Sequence, residues 1–303
     1  MSRIHEALKK AEQERAAAQP LSPAPAMPAL DLDDAAEMPG PHPVVADPSA
    51  SMFAAPFSLD ALLSRSLQMN WQPDKNALLF LNGDDSAPGT EEFRTLRSRL
   101  YHFREKMTLK TLLITSAVPK EGKTFTAANL AQVMVRQHGR RVLLIDADLR
   151  GPRLHLTLGT TAGPGLSDYL EGKNDEFSIM QRGEHENLYF IPSGKEIDDP
   201  SELVSNGRLK MLLQRVEALF DWIIVDSPPA VPVSDASVLA KACDGVLMVV
   251  RAASTPADVA RRARQEFPDQ QLVGMVLNGT RDGAIPYARY YYETYHKGPA
   301  SKA

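Results

Sequence analysis

Eight consecutive residues, Ala117, Val118, Pro119, Lys120, Glu121, Gly122, Lys123 and Thr124, set a glycine, a lysine and a hydroxyl at the spacing Gly/Ala-x4-Gly-Lys-Ser/Thr, with Ala117 in the usual glycine position. That spacing suits a loop whose successive backbone N–H groups face an anion. Gly122 permits close backbone approach to a β-phosphate, Lys123 can neutralise β- and γ-phosphates, and Thr124 can offer its hydroxyl to Mg²⁺. Phe125 opens a helical stretch to Gln137 whose positive end faces the same anion. The ligand implied is a nucleoside triphosphate. A chance glycine-containing turn is the alternative, but the strand-like run Thr111–Thr115 and the following helix supply the order the motif requires.

Two acidic stations fit the same chemistry. The run Arg141–Ile145 is of buried parallel-strand type and delivers Asp146, Ala147, Asp148, Leu149 and Arg150 at its carboxyl end, where open α/β sheets place their sites. Trp222–Val225 leads into Asp226, Ser227, Pro228 and Pro229, an acid at a strand end with a rigid turn behind it. A hard cation prefers oxygen ligands, and Asp226 can hold Mg²⁺ directly or through water. Taken singly, each acid reads as an ordinary strand-end or N-cap residue. Together with the loop, in this order, they read as one site.

From about Trp71 onward the chain resembles the bacterial tyrosine kinases of polysaccharide export, in their cytoplasmic, separately encoded form. The resemblance rests on the phosphate loop, on LLIDADLRGP (Leu143 to Pro152), on VDSPP (Val225 to Pro229) and on a terminal tyrosine cluster. That cluster, Tyr287, Tyr290, Tyr291, Tyr292 and Tyr295, gathers five of the eight tyrosines. The resemblance implies an ATP- and Mg²⁺-dependent autokinase that phosphorylates these tyrosines. It places Asp146 at the metal near the attacking hydroxyl, with Asp148 as a second metal-shell or positioning acid. Thr124 and Asp226 complete the metal set. It likens Asn278 to the base-contacting asparagine of related ATPases; capping a strand end is the other reading. Arg150 contacts phosphate or braces its loop. Glu91, Arg94 and Arg97 form ExxRxxR, a pattern this family uses between subunits, although Glu91 and Arg94 are also i,i+3 neighbours on one helix. The resemblance further implies a membrane-embedded polysaccharide chain-length or export adaptor as partner, homo-oligomers, and recruitment to the inner face of the plasma membrane; transfer to the tail runs in cis or in trans, and the ExxRxxR helix favours trans.

Two rivals share these residues. A partition or cell-division-site ATPase usually carries KGGxGK[ST], and Val118 stands where its leading lysine would fall. A nucleotide-bound export scaffold without kinase turnover would need the same loop.

Composition narrows the remaining classes. A net charge of −4 opposes nucleic-acid binding led by global electrostatics. A single cysteine, Cys243, precludes an internal disulfide and a cysteine-built metal site. No stretch approaches the roughly 20 apolar residues of a membrane span, and no signal peptide is evident, so a cytoplasmic protein is expected.

The expected organisation is a short N-terminal helix (1–15), a mostly disordered Pro/Ala-rich linker (16–70), a phosphate-loop kinase domain (71–281) and a flexible tyrosine-rich tail (282–303). Helix 3–15 docks a partner or frays in solvent. Residues 57–67 can form a local helix. Strands are expected at 77–81, 111–115, 141–146, 188–192, 222–226, 244–250 and 272–278. Helices are expected from an N-cap at Thr90 to about 106, and at 123–138, 201–219, 235–242 and 257–267. This alternation predicts an α/β phosphate-loop NTPase fold, a mainly parallel sheet with helices on both faces.

Overall fold

Apolar runs, two of which end on acids, build the centre of the molecule. The computed structural model describes residues 58–80, 88–197 and 199–280, all within the unit Ser49–Ala303. The expected N-terminal helix, the Pro/Ala-rich stretch to residue 57 and the tyrosine tail lie outside the described residues.

In chain order the elements are α1 (Leu59–Arg65), β1 (Leu67–Gln68), α2 (Thr90–Arg104), β2 (Thr111–Ser116), α3 (Lys123–Val135) and β3 (Val142–Asp146). Then come α4 (Leu154–Leu158), α5 (Leu166–Leu170), β4 (Gln181–Arg182), β5 (Leu188–Ile191), α6 (Pro200–Ser205) and α7 (Arg208–Val216). The chain continues through β6 (Trp222–Asp226), α8 (Asp235–Ala240), β7 (Gly245–Arg251), α9 (Ala257–Arg264) and β8 (Leu272–Asn278).

The strands form one sheet in the order β1-β4-β5-β3-β6-β2-β7-β8. Every pairing is parallel except β4 with β5. Side chains of one strand alternate between two cores, as a period of two demands. Leu113, Leu143, Ile223 and Val225 enter one cluster with Leu209 and Leu212 of α7. Leu112, Ile114, Leu144 and Ile224 enter the other with Leu130 and Ala131 of α3. Helices therefore cover both faces, and central strands buried on both sides read as continuous apolar runs.

Three expected elements differ. Residues 77–80 are turns rather than a strand. The Asn129 side chain on α3 accepts the Leu79 N–H at 2.8 Å and donates to the Ala77 carbonyl at 2.9 Å, replacing a strand partner while Leu78 and Phe80 bury their side chains. Thr90 is the first helical residue and is buried; Gly89 caps the helix at φ 97°. The helix expected over 201–219 is two helices, because Asn206 and Gly207, at φ 82°, break it between α6 and α7. The folded region also begins before Trp71. Ser58 caps α1, Leu62 is fully buried, and β1 joins the sheet through β4.

Candidate active site

The phosphate loop leaves β2 and turns into α3 through two positive-φ residues, Lys120 (69°) and Gly122 (95°). A Cβ on Gly122 would lie 2.1 Å from Asn278 Nδ2, so both conformation and space require glycine there. Lys123 and Thr124 thus open α3 at its positive end.

Sheet order brings the acids to this point. β2 pairs with β6, and β6 with β3, so Asp146 and Asp226 are direct register partners beside the loop. The Thr124 hydroxyl donates to Asp226 at 2.7 Å. Lys123 Nζ lies 2.7 Å from Asp148 and 3.7 Å from Asp226. Asp146 accepts the Leu154 N–H at 3.0 Å and the Asp148 N–H at 3.3 Å, which shapes the segment after β3. Lys123, Thr124, Asp146, Asp148 and Asp226 therefore converge.

Burial and mutual repulsion govern the charges. Burial, with Asp226 opposite, raises Asp146 to about 8. Burial raises Asp226 to about 6, against the pull of Lys123. Burial opposes the Lys123 ammonium, but Asp226 and Asp148 outweigh it and hold its pKa above the ordinary lysine value. One Asp226 oxygen, Oδ1, is buried without a hydrogen-bond partner. An orphaned carboxylate oxygen beside a hydroxyl suits a hard divalent cation. Among the described residues no three His, Cys, Asp or Glu side chains form a metal cage. Magnesium commonly takes only one or two protein carboxylates, with water and substrate phosphate oxygens completing its shell, so the donors fit it.

A cavity of about 530 Å³ opens beside Lys123, Thr124 and Asp148. Pro119, Lys120, Gly122, Lys123, Thr124 and Asp148 line its floor, and Arg150, Arg153, Pro229, Pro232 and Val233 line its walls. Of the two readings for Arg150, the geometry matches bracing: its guanidinium reaches Asp235 and Ser201, each at 2.7 Å. Asn278 donates to the Glu121 carbonyl at 2.8 Å and accepts the Gly279 N–H at 2.9 Å, so it caps β8 and touches the loop. Ala117 is fully buried, and the Val118 N–H donates to Glu121 at 2.7 Å. The Phe125 ring packs on Phe93, 6.0 Å between centroids, leaving only its backbone to the loop.

On α2, Glu91 and Arg94 pair with each other and border a groove with Ser98, His102 and Phe103. Arg97 turns inward, donating to the Val133 carbonyl at 2.9 Å. Cys243 is buried, and burial pushes its thiol up. The brace that Asp235 and Ser201 give Arg150 and the contacts of Glu121 with Arg251 and Thr255 have no local sequence signal, since the partners lie far apart in the chain.

A family model described as an AAA domain matches residues 118–257. Tyrosine-protein kinase YwqD of Bacillus subtilis is 34% identical over 194 residues, 63% of this chain and 81% of that protein. Tyrosine-protein kinase CpsD of Streptococcus agalactiae is 33% identical over 67% of this chain and 90% of its own length. Longer relatives are matched over about a third of their length, 32% for tyrosine-protein kinase wzc of Salmonella typhimurium. The solved kinase domain of Escherichia coli tyrosine kinase ETK superposes with a TM-score of 0.61 at 33% identity, covering 66% of this chain and 80% of that one. Nucleotide binding with a divalent metal accompanies this fold. With its phosphate loop, strand-end acids and doubly covered parallel sheet, the chain belongs to the bacterial tyrosine-protein kinase family and is a protein-tyrosine kinase.

Proposed function

We propose that the chain is an autokinase that transfers the γ-phosphate of ATP to tyrosines of its own C-terminal cluster, Tyr287, Tyr290, Tyr291, Tyr292 and Tyr295, in trans within an oligomer. The convergence of Lys123 and Thr124 with Asp148, Asp226 and its register partner Asp146, beside a cavity that Lys123, Thr124 and Asp148 line, carries this reading. The loop amides and Lys123 orient the phosphates; Thr124 and Asp226 hold Mg²⁺, with Asp146 behind them. Bound there, Mg²⁺ would supply charge neutralisation to the transferring phosphate.

A phenol enters along the wall of Arg153, Pro229, Pro232 and Val233. Its oxygen forms the new bond to the γ-phosphorus while the bond to the β–γ bridging oxygen breaks, and that electron pair leaves on ADP. An unassisted phenol, with a pKa near 10, is a poor nucleophile at neutral pH. The Asp146–Asp148 pair takes its proton. Lys123 stays cationic beside the transferring group because its carboxylate neighbours hold its proton.

Glu91, Arg94 and Arg97 are the proposed subunit contact. A membrane-embedded chain-length or export adaptor is the proposed partner, bringing this kinase to the inner face of the plasma membrane in exopolysaccharide or capsule production. Among the described residues no helix is long and apolar enough to cross a membrane. Incubation with MgATP followed by phosphotyrosine detection and site mapping tests the proposal. Phosphotyrosine on the tail supports it, and phosphate confined to Tyr101, Tyr169 or Tyr189 refutes the tail assignment.

A further inference from the structure

The phosphate loop holds a carboxylate that phosphate binding does not call for. Glu121 is only 1% exposed. One oxygen accepts the Val118 N–H at 2.7 Å, from the opposite end of the same loop. The other accepts the Arg251 N–H at 3.2 Å and the Thr255 hydroxyl. Arg251 closes β7, and Thr255 ends the turn that follows, in which Ala253 takes a positive φ of 53°. The same turn reaches the loop a second way, since Arg251 Nη1 donates to the Lys120 carbonyl at 3.1 Å.

A negative charge beneath a triphosphate site works against the ligand by simple repulsion, and a buried carboxylate costs several kcal/mol of desolvation before its hydrogen bonds are counted. Charge-assisted hydrogen bonds are roughly twice as strong as neutral ones. Here they join two ends of the loop to a third element. Lys120 sits at φ 69°, a conformation that needs outside support in a non-glycine residue.

We propose that Glu121 is a positioning residue for nucleotide binding: its carboxylate ties the phosphate loop to the Arg251–Thr255 turn and so presets the loop amides that receive the phosphates. The inference rests on reading residues 117–124 as the phosphate loop. Thr255 is the far end of the brace, outside the loop and away from the cavity lining.

The test uses the full chain with a non-hydrolysable ATP analogue and Mg²⁺, measured by calorimetry, together with ATP turnover and nucleotide-free melting. Glu121→Ala is expected to weaken analogue binding roughly tenfold, because two backbone donors lose their acceptor. The effect should appear in KM for ATP, with kcat at saturation within about twofold of wild type. Glu121→Gln, which keeps an acceptor, should recover part of the loss. Thr255→Val should weaken binding about threefold, and the double variant should be no worse than Glu121→Ala alone, as expected for two ends of one contact. Wild-type affinity in a folded Glu121→Ala protein overturns the inference, as do additive effects in the double variant. If Glu121→Ala does not fold, Thr255→Val and Glu121→Gln decide, and unchanged affinity in both overturns it. Failure of the wild-type chain to bind the analogue overturns the phosphate-loop reading itself, and the inference with it.

Discussion

Lys123 Nζ is hydrogen-bonded to Asp148 at 2.7 Å and stands 3.7 Å from Asp226, so a single ammonium spans acids delivered by two different strand ends. Both carboxylates favour the protonated lysine, and Lys123 and Asp148 line the same cavity.

Replacing Lys123 with Met removes that cation without adding volume. ATP hydrolysis and autophosphorylation are expected to fall by about 10²–10³-fold, the range for loss of one preorganised transition-state donor. Circular dichroism should show an intact fold. Undiminished phosphotyrosine would reject the assignment.

The metal-free protein should lose stability as pH rises across the window from 3.8 to about 8. Burial raises Asp146 in the folded state, with Asp226 adding repulsion, so the folded form binds the extra proton that the unfolded chain releases near 3.8. The protonated group's contribution is complete below that value and is lost as pH climbs toward about 8. Asp146→Asn, already neutral, should melt with a flatter pH profile and at higher temperature near pH 8. An unchanged slope in this variant would contradict the burial argument.

Gly122→Ala meets two obstacles at once, a φ of 95° and Asn278 Nδ2 at 2.1 Å from the new Cβ. The strained backbone alone costs on the order of 1–3 kcal/mol. Nucleotide affinity should fall below detection in calorimetry even where melting shows a folded protein. Trimming Asn278 to Ala relieves only the steric part, so Gly122→Ala/Asn278→Ala should remain impaired. Full recovery in the double variant would show that the backbone conformation is not limiting.

Replacing the five tail tyrosines with Phe should remove most phosphotyrosine while analogue binding stays at the wild-type level. Each phosphate adds about −1.5 to −2 charges at neutral pH, so a phosphorylated tail should repel itself and loosen an assembly. Sedimentation of phosphorylated and unphosphorylated samples, with the adaptor present, checks this. Equal masses would retain the acceptor role and reject disassembly.

Arg94→Glu turns the Glu91–Arg94 pair into a like-charge pair on the exposed side of α2. If this surface joins subunits, the dissociation constant should rise about tenfold or more. ATP binding should not change. Sedimentation showing the wild-type assembly in this variant would remove Glu91 and Arg94 from the interface.

The loop, the strands that end on Asp146 and Asp226, and the alternation of strand and helix were legible because each rests on local chemistry. Apolar runs of four to seven residues mark strands, and the loop's glycine, lysine and hydroxyl must be neighbours in the chain. The departures share a different cause. Ala77–Phe80 reads as a strand by composition, yet Asn129, far along the chain, supplies its backbone partners. Gly207 interrupts an amphipathic pattern that periodicity alone carries through. Of the two readings that spacing leaves open for Arg150, its contact with Asp235 matches bracing, and Arg97 donates to the Val133 carbonyl. Side-chain direction at a site depends on such distant partners, which spacing does not encode.

Asn278 fixes the end of β8 against the phosphate loop, and Tyr287 follows only nine residues later. Nine residues span at most about 30 Å when fully extended. A flexible link of that length would give a self-tethered acceptor a millimolar effective concentration, whatever the amount of protein in solution. A neighbour's tyrosine matches that concentration only when assembly raises its own to the same range. If the tail is the acceptor, the kinetic order of its labelling separates the two routes, independent of protein concentration for a self-tethered acceptor and dilution-sensitive for a borrowed one.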